Sequence, residues 1–222
     1  MDRRSMFKLS CRSFFSACGL IGLLALGGCA SPQTYSTTQI LSTNLKPDSL
    51  KYTGLAFITP SSATGQEEDK QALALAFGEV LRQTRPELQM VSLSDTLSSI
   101  NRAGLTSEYK QMFEDYRLTG IFDHATLKKV ADVTHVRYLA QLKLGGFRQD
   151  SKGRLGAFGL RLVETKSTAI RLYLQIWDSK DGSVAWEGSH EMTASHDSMA
   201  EDTVTFRSIV EQAARALIGR LP

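Results

Sequence analysis

The side chains with reactive potential in this chain are one thiol, four imidazoles and a consecutive Ser-His-Asp. Cysteines stand at 11, 18 and 29. The first two fall inside an N-terminal stretch built like an export leader. Arg3, Arg4, Lys8 and Arg12 make a positive start, Cys18 to Leu26 is apolar, and Gly27-Gly28 closes the run with small residues. The apolar part is shorter than the about 20 residues that a bilayer-spanning helix needs, so the stretch reads as a signal that is cut. Cleavage after Gly28 leaves Cys29 as the only thiol, at the new N-terminus. No disulfide and no thiolate metal site is then expected within the mature chain.

The histidines are His124, His135, His190 and His196. A zinc helix places two His at i and i+4 with a Glu between. His190 and His196 are spaced by six, and Glu191 would lie on the opposite face of a strand from His190. No metal site is expected. Ser195, His196 and Asp197 adjoin in sequence, but a hydrolytic triad is assembled in space, so adjacency carries no information. No Gly-x-Ser-x-Gly elbow accompanies them. The glycines at 145, 146, 153, 156 and 159 are followed by no Gly-Lys-Ser/Thr and match no dinucleotide fingerprint. They mark turns. No cofactor and no catalysis is expected.

Leu26-Gly27-Gly28-Cys29 resembles the lipobox of bacterial lipoproteins at all four positions. The resemblance implies a diacylglycerol thioether on the Cys29 sulfur and an acyl chain such as palmitate on its freed amine. Several chains matter physically, because burial is worth about 0.8 kcal/mol per CH₂ and one chain alone holds only marginally. Ala30 and Ser31 follow, with no Asp at the second position. In lipoproteins of Gram-negative bacteria this implies transfer to the outer membrane. The leader also carries away the net charge: the precursor is formally +3, and the leader holds four Lys/Arg against Asp2. A neutral mature chain gives no reason to expect nucleic acid as a partner.

Three divisions follow: residues 1–28 as the removed signal, 29–52 as a lipidated N-terminus and flexible tether, and 53–222 as a single periplasmic domain. The tether reading rests on small polar residues from Ala30 onward that bury too little to repay ordering. In the domain, Gly54–Pro60 predicts a buried strand. Leu73, Ala76, Phe77, Val80 and Leu81 form one helical stripe that Arg85-Pro86 ends. Leu88–Leu93 predicts a strand, Ser94 caps a helix to Ile100, a second helix spans 107–116, and Asp123 caps a third. Tyr138–Leu144 alternates as a strand that Gly145-Gly146 terminates. Ile170–Ile176 and Val184–Met192 flank the turn signal Asp178…Asp181-Gly182. The stripe Phe206, Ile209, Val210, Ala213, Ala214, Leu217, Ile218 predicts a helix from about 202 to 221. The fold class is α/β: a mixed central sheet with early βαβα units, a C-terminal antiparallel hairpin and packing helices.

This order, with Leu172-x-Leu174-x-Ile176-x-Asp178 and Gly182-x-Val184-x-Trp186, resembles the curli-secretion lipoprotein family and its relatives, among them the lipoprotein activators of penicillin-binding proteins. Val133–Ala140 takes the place of the strand that those relatives enter through a Gly-Ala pair, here His135-Val136-Arg137. The resemblance implies an outer-membrane-anchored periplasmic lipoprotein that serves an envelope protein as a non-catalytic adaptor or assembly factor. The alternatives are a subunit of an oligomeric outer-membrane secretion channel and an envelope hydrolase with an unrecognised site. Residues 145–168 are expected to be a mobile loop, with Phe158, Leu160 and Trp177 as candidate partner contacts. Phe158, Leu160 and Leu162 form an apolar row, but Glu164 and Lys166 follow in register, so a soluble hairpin is expected over a membrane-inserted one.

Overall fold

Ile170, Leu172, Leu174 and Ile176 alternate with Arg171, Tyr173, Gln175 and Trp177, which gives the middle of the chain two different faces. In a computed structural model these residues lie inside a seven-stranded mixed sheet. The structure describes residues 33–62, 66–155, 161–198 and 205–222, and Gln33–Pro222 form one unit. In chain order the elements are β1 (Gln33–Thr43), α1 (Ser49–Thr53), β2 (Leu55–Phe57), β3 (Ser61–Ser62) and α2 (Glu67–Thr84). Next come β4 (Met90–Val91), α3 (Leu93–Arg102), α4 (Thr106–Thr119) and α5 (His124–Thr134). The chain closes with β5 (Tyr138–Leu155), β6 (Arg161–Asp178), β7 (Val184–Ser198) and α6 (Phe206–Ile218). The strand order is β1-β7-β6-β5-β2-β4, with β3 paired to β5 beyond the end of β2. β2 runs parallel to β4 and β5, whereas β1, β7, β6 and β5 are antiparallel neighbours. The fold is mixed α/β.

The alternation separates two cores. Leu142, Leu144, Leu172, Leu174, Ile176 and Trp186 cluster with Phe77, Val80 and Leu81 of α2 and Val210, Ala213 and Leu217 of α6. Leu139, Trp177, Ala56 and Ile58 cluster on the other face with Ile100, Met112, Tyr116, Phe122, Leu127 and Val130 of α3 to α5 and the α4–α5 loop. The helices start where the sequence supplies oxygen acceptors. Asp123 accepts from the Thr126 N–H at 2.8 Å, and Thr205 Oγ1 accepts from Ser208 N–H at 3.2 Å. The cap of α3 is Ser92, which accepts from Asp95 N–H at 3.2 Å, two residues before the expected Ser94.

Two expectations are overturned. Residues 29–52, expected as a lipidated N-terminus and flexible tether, contain β1, which pairs antiparallel with β7 from Gln33↔Ser195 to Thr43↔Trp186. Thr38 Oγ1 and His190 Nδ1 lie 2.8 Å apart, and Leu45 and Leu50 are core residues. An edge strand draws its stability from the backbone ladder and needs no apolar row, which is why polar Thr-rich sequence suffices. The described domain therefore begins at Gln33, not at 53. Gly145-Gly146 does not end β5 either. The strand continues to Leu155 through a register shift between Leu144 and Gly146, a β-bulge position. A Cβ on Gly145 would meet Tyr173 Cε2 at 3.0 Å and Arg171 Cδ at 3.2 Å, so glycine there makes room for the neighbouring strand. The expected loop is thereby largely two strands, and β7 likewise runs past Met192 to Ser198.

Two measurements test this packing. Trp186 lies over Gly188, where an added Cβ would stand 2.5 Å from the indole Cη2. Gly188→Ala is expected to destabilise by about 1–3 kcal/mol, the usual cost of overpacking a core, read from denaturant unfolding. Burial holds the His190 imidazole below its ordinary 6.5. The unfolded chain therefore takes up this proton first, and stability is lost as pH falls below 6.5 toward the folded value. His190→Gln is expected to flatten that part of the pH–stability curve, and an unchanged slope would contradict the burial of His190.

Candidate functional site

Leu26, Gly27, Gly28 and Cys29 lie outside the described residues, as do Phe158 and Leu160. Trp177, expected as a candidate partner contact, is covered. Only 4 % of its surface is exposed, and its ring meets Phe122 edge-on at 5.1 Å and Tyr116 at 6.3 Å. Tyr116 and Phe122 stack at 4.0 Å. The parity of β6 places Trp177 on the face that α4 and α5 cover, so its apolar surface goes to the fold.

Two of the described histidine side chains, His124 and His190, have structural partners. His124 Nε2 lies 3.2 Å from the Ser179 carbonyl. His135 is the left-handed C-cap of α5, and His190 is bonded to Thr38. Ser195, His196 and Asp197 occupy successive register positions opposite Ser167, Lys166 and Thr165. Among the described residues no three His, Cys, Asp or Glu converge as metal ligands.

The turn signal at Asp178 proves to be a clamp. Its carboxylate accepts from Arg137 Nε at 2.9 Å, from Arg137 Nη2 at 2.6 Å and from the Lys180 N–H at 2.9 Å. The two-pronged pair ties the start of β5 to the β6–β7 turn, and it holds the Arg137 guanidinium above its usual range. Asp178 is nearly buried while Arg137 is part-exposed, so Arg137 can rehydrate if its partner is lost. Asp178→Ala is expected to cost about 1–2 kcal/mol, measured by chemical denaturation, with no loss comparable to a core truncation.

Among the described residues, two of the surfaces with the geometry to receive a ligand carry polar side chains. Where α4 and α5 no longer cover the second face, Thr37, Glu191 and Arg171 stand side by side across β1, β7 and β6, all exposed. Arg171 Nε pairs with Glu191 at 2.5 Å, which makes this a polar, charge-balanced patch. The other is a cleft of about 570 Å³ at the carboxyl end of β2, between the residues after that strand and α4. Tyr109 Oη accepts from Thr59 N–H at 2.9 Å there, and burial pushes its phenol up to about 12. Tyr116 Oη donates to Gln175 Oε1 at 3.0 Å, and Gln175 Nε2 donates to Glu187 at 2.8 Å. Burial, with the Glu187 charge adding to it, pushes Tyr116 up to about 12 as well. Lys143 Nζ sits 4.9 Å from the Tyr116 ring centroid, and burial lowers its pKa against the opposing pull of Glu187. Gln141 is fully buried and lines the same cleft. Sequence reasoning missed it, because in the alternation Tyr-Leu-Ala-Gln-Leu-Lys-Leu Gln141 shares a row with Lys143, where a polar residue is ordinary.

No family model and no curated protein matches this chain. Solved structures of similar shape include the PelC dodecamer from Paraburkholderia phytofirmans, at 11% identity, covering 84% of this chain and 98% of that one, with a TM-score of 0.48. The lipoprotein GNA1162 from Neisseria meningitidis matches at 9% identity over 75% of this chain and 95% of its own, with a TM-score of 0.41. The LpoB C-terminal domain from Salmonella enterica matches at 12% identity over 62% and 80%, with a TM-score of 0.34. All three scores are below 0.5.

Proposed function

We propose that this chain is a lipid-anchored protein of the bacterial outer membrane whose periplasmic domain binds another envelope protein without catalysis. The observation that carries the reading is the distance between Cys29 and β1. Only residues 30–32 intervene before the strand starts at Gln33, so four Cα–Cα steps, at most about 14 Å extended, separate the Cys29 backbone from the sheet. The anchor is a short leash, which confines the domain to partners at the membrane surface and raises their effective concentration. Gln33 lies in register with Ser195, and through it with Ser167 and Asp150. That end of the sheet faces the bilayer in this reading, and the Thr37–Glu191–Arg171 patch lies beside it. Ala30 and Ser31 after Cys29 support outer-membrane delivery. The structural contacts of His124 and His190 support binding over catalysis.

The β1 edge favours a second reading, association of copies as in a channel. Gln33–Thr43 contains no charged residue and no proline, which are the devices that usually block pairing along a sheet edge. Ser36→Lys with Gln39→Lys, both at exposed positions, would disperse such an assembly on sedimentation of detergent-extracted protein. A species already monomeric before substitution removes this reading.

The binding role is tested with a photo-crosslinking residue at Thr37 in intact cells. The expected product is one discrete envelope protein, lost when the probe is moved to the exposed Leu118 on the α4 surface. Capture of lipid and abundant porins alone contradicts the role. For the anchor, Cys29→Ser is expected to release the protein from washed membranes, and retention after high-salt washing would overturn it.

A further inference from the structure

We propose that the cleft at the end of β2 is a binding site for a short peptide ending in a free carboxylate. The strand topology makes this a place where ligands bind. β2 is flanked by β4 on one side and by β5 on the other, both parallel to it. The chain leaves β2 through α2 to β4, then returns across β2 to β5 by way of α3, α4 and α5. The strand order thus reverses at β2, and in open α/β sheets the crevice beyond the carboxyl ends of the strands at such a point is where ligands sit. Thr59, Ser61 and Gln141 line that crevice, with α4 across it.

Gln141 supplies the second, independent observation. The residue is fully buried, and among the described residues neither its Nε2 nor its Oε1 has a hydrogen-bond partner. Leaving a buried polar group unpaired costs about 1–3 kcal/mol per group, and here donor and acceptor of one amide are both unpaired. A primary amide offers its donor and its acceptor side by side, which is the complement of another amide. A peptide bond satisfies both. The remaining lining selects the rest of the ligand. Phe113 and the Tyr109 and Tyr116 rings give an apolar wall suited to an aliphatic side chain. Of the cations on the cleft, Lys70 pairs with Glu67 and Lys110 with Glu114. Arg117 has no ion-pair partner among the described residues and is exposed at the rim. It is available to a carboxylate through its two-pronged fork. The volume, about 570 Å³, falls in the range of sites that enclose small molecules. This inference is independent of the adaptor role, since it uses a different surface from the β1 side.

The probe is N-acetyl-alanyl-leucine, with its C-terminal amide as the paired control, titrated into the ¹⁵N-labelled mature protein in detergent micelles. Saturable shifts of the Gln141 side-chain N–H₂ and the Thr59 and Tyr109 amides are expected. The free-carboxylate peptide should bind more tightly than its amide. Arg117→Gln should erase that difference while leaving the amidated peptide unaffected. Gln141→Met, which keeps the side-chain shape and removes the unpaired amide, should weaken both peptides at least tenfold while the remaining amide spectrum stays native-like. Gln141→Glu is the second variant should the methionine form fail to fold, and it should reject the carboxylate peptide more than the amide. Absence of saturable shifts with either peptide, or undiminished binding to Gln141→Met, overturns the site.

Discussion

β6 is hydrogen-bonded along both edges, to β5 from Tyr138↔Asp178 outward and to β7 from Trp177↔Val184 outward. That double ladder decides which side chains share a face, because strand parity cannot change without breaking pairs on two sides at once. Ile176, Leu174 and Leu172 then face α2 and α6, while Trp177 and Gln175 face the α4 side. The Arg137–Asp178 clamp closes the same ladder at its turn end. Everything with functional interest stands relative to this strand: the covered Trp177, the exposed Arg171, and the Gln175–Tyr116 bond beside the cleft.

Much of this could be read from the residues. The alternating aliphatics, the Asp123 cap and the α6 stripe each carry a local physical signal, and the mixed α/β class follows from their order. Two kinds of feature could not be read so. β1 is polar because an edge strand is stabilised by its ladder to β7, and Thr, Tyr and Ile within it are strand formers whose signal was outweighed by the small polar residues around them. Gly145 looked like a terminator because glycine usually marks a turn, whereas here it lets Tyr173 and Arg171 approach across a bulge. Both errors come from long-range pairing, which no local pattern contains.

The candidate sites divide in the same way. The expectation for Cys29 rests on the leader and on Leu26-Gly27-Gly28-Cys29, which are contiguous in sequence, so it needs no long-range contact. Trp177, expected as a partner contact, is covered because Tyr116 and Phe122, distant in the chain, pack over the second face on which its parity sets it. Gln141 is meaningful only once its neighbours are known to leave its amide unpaired. A short leash and a polar sheet face make the domain a membrane-proximal binding module in this account, whereas a long tether would have let it search across the periplasm.

The most direct test is hydrogen exchange of the lipidated protein, followed peptide by peptide across residues 30–50. The account predicts protection of Gln33–Thr43 comparable to the adjoining β7, with fast exchange confined to the few residues beside Cys29. Exchange of 33–43 at the rate of an unstructured chain would restore the long tether and contradict the short leash on which the proposed role depends.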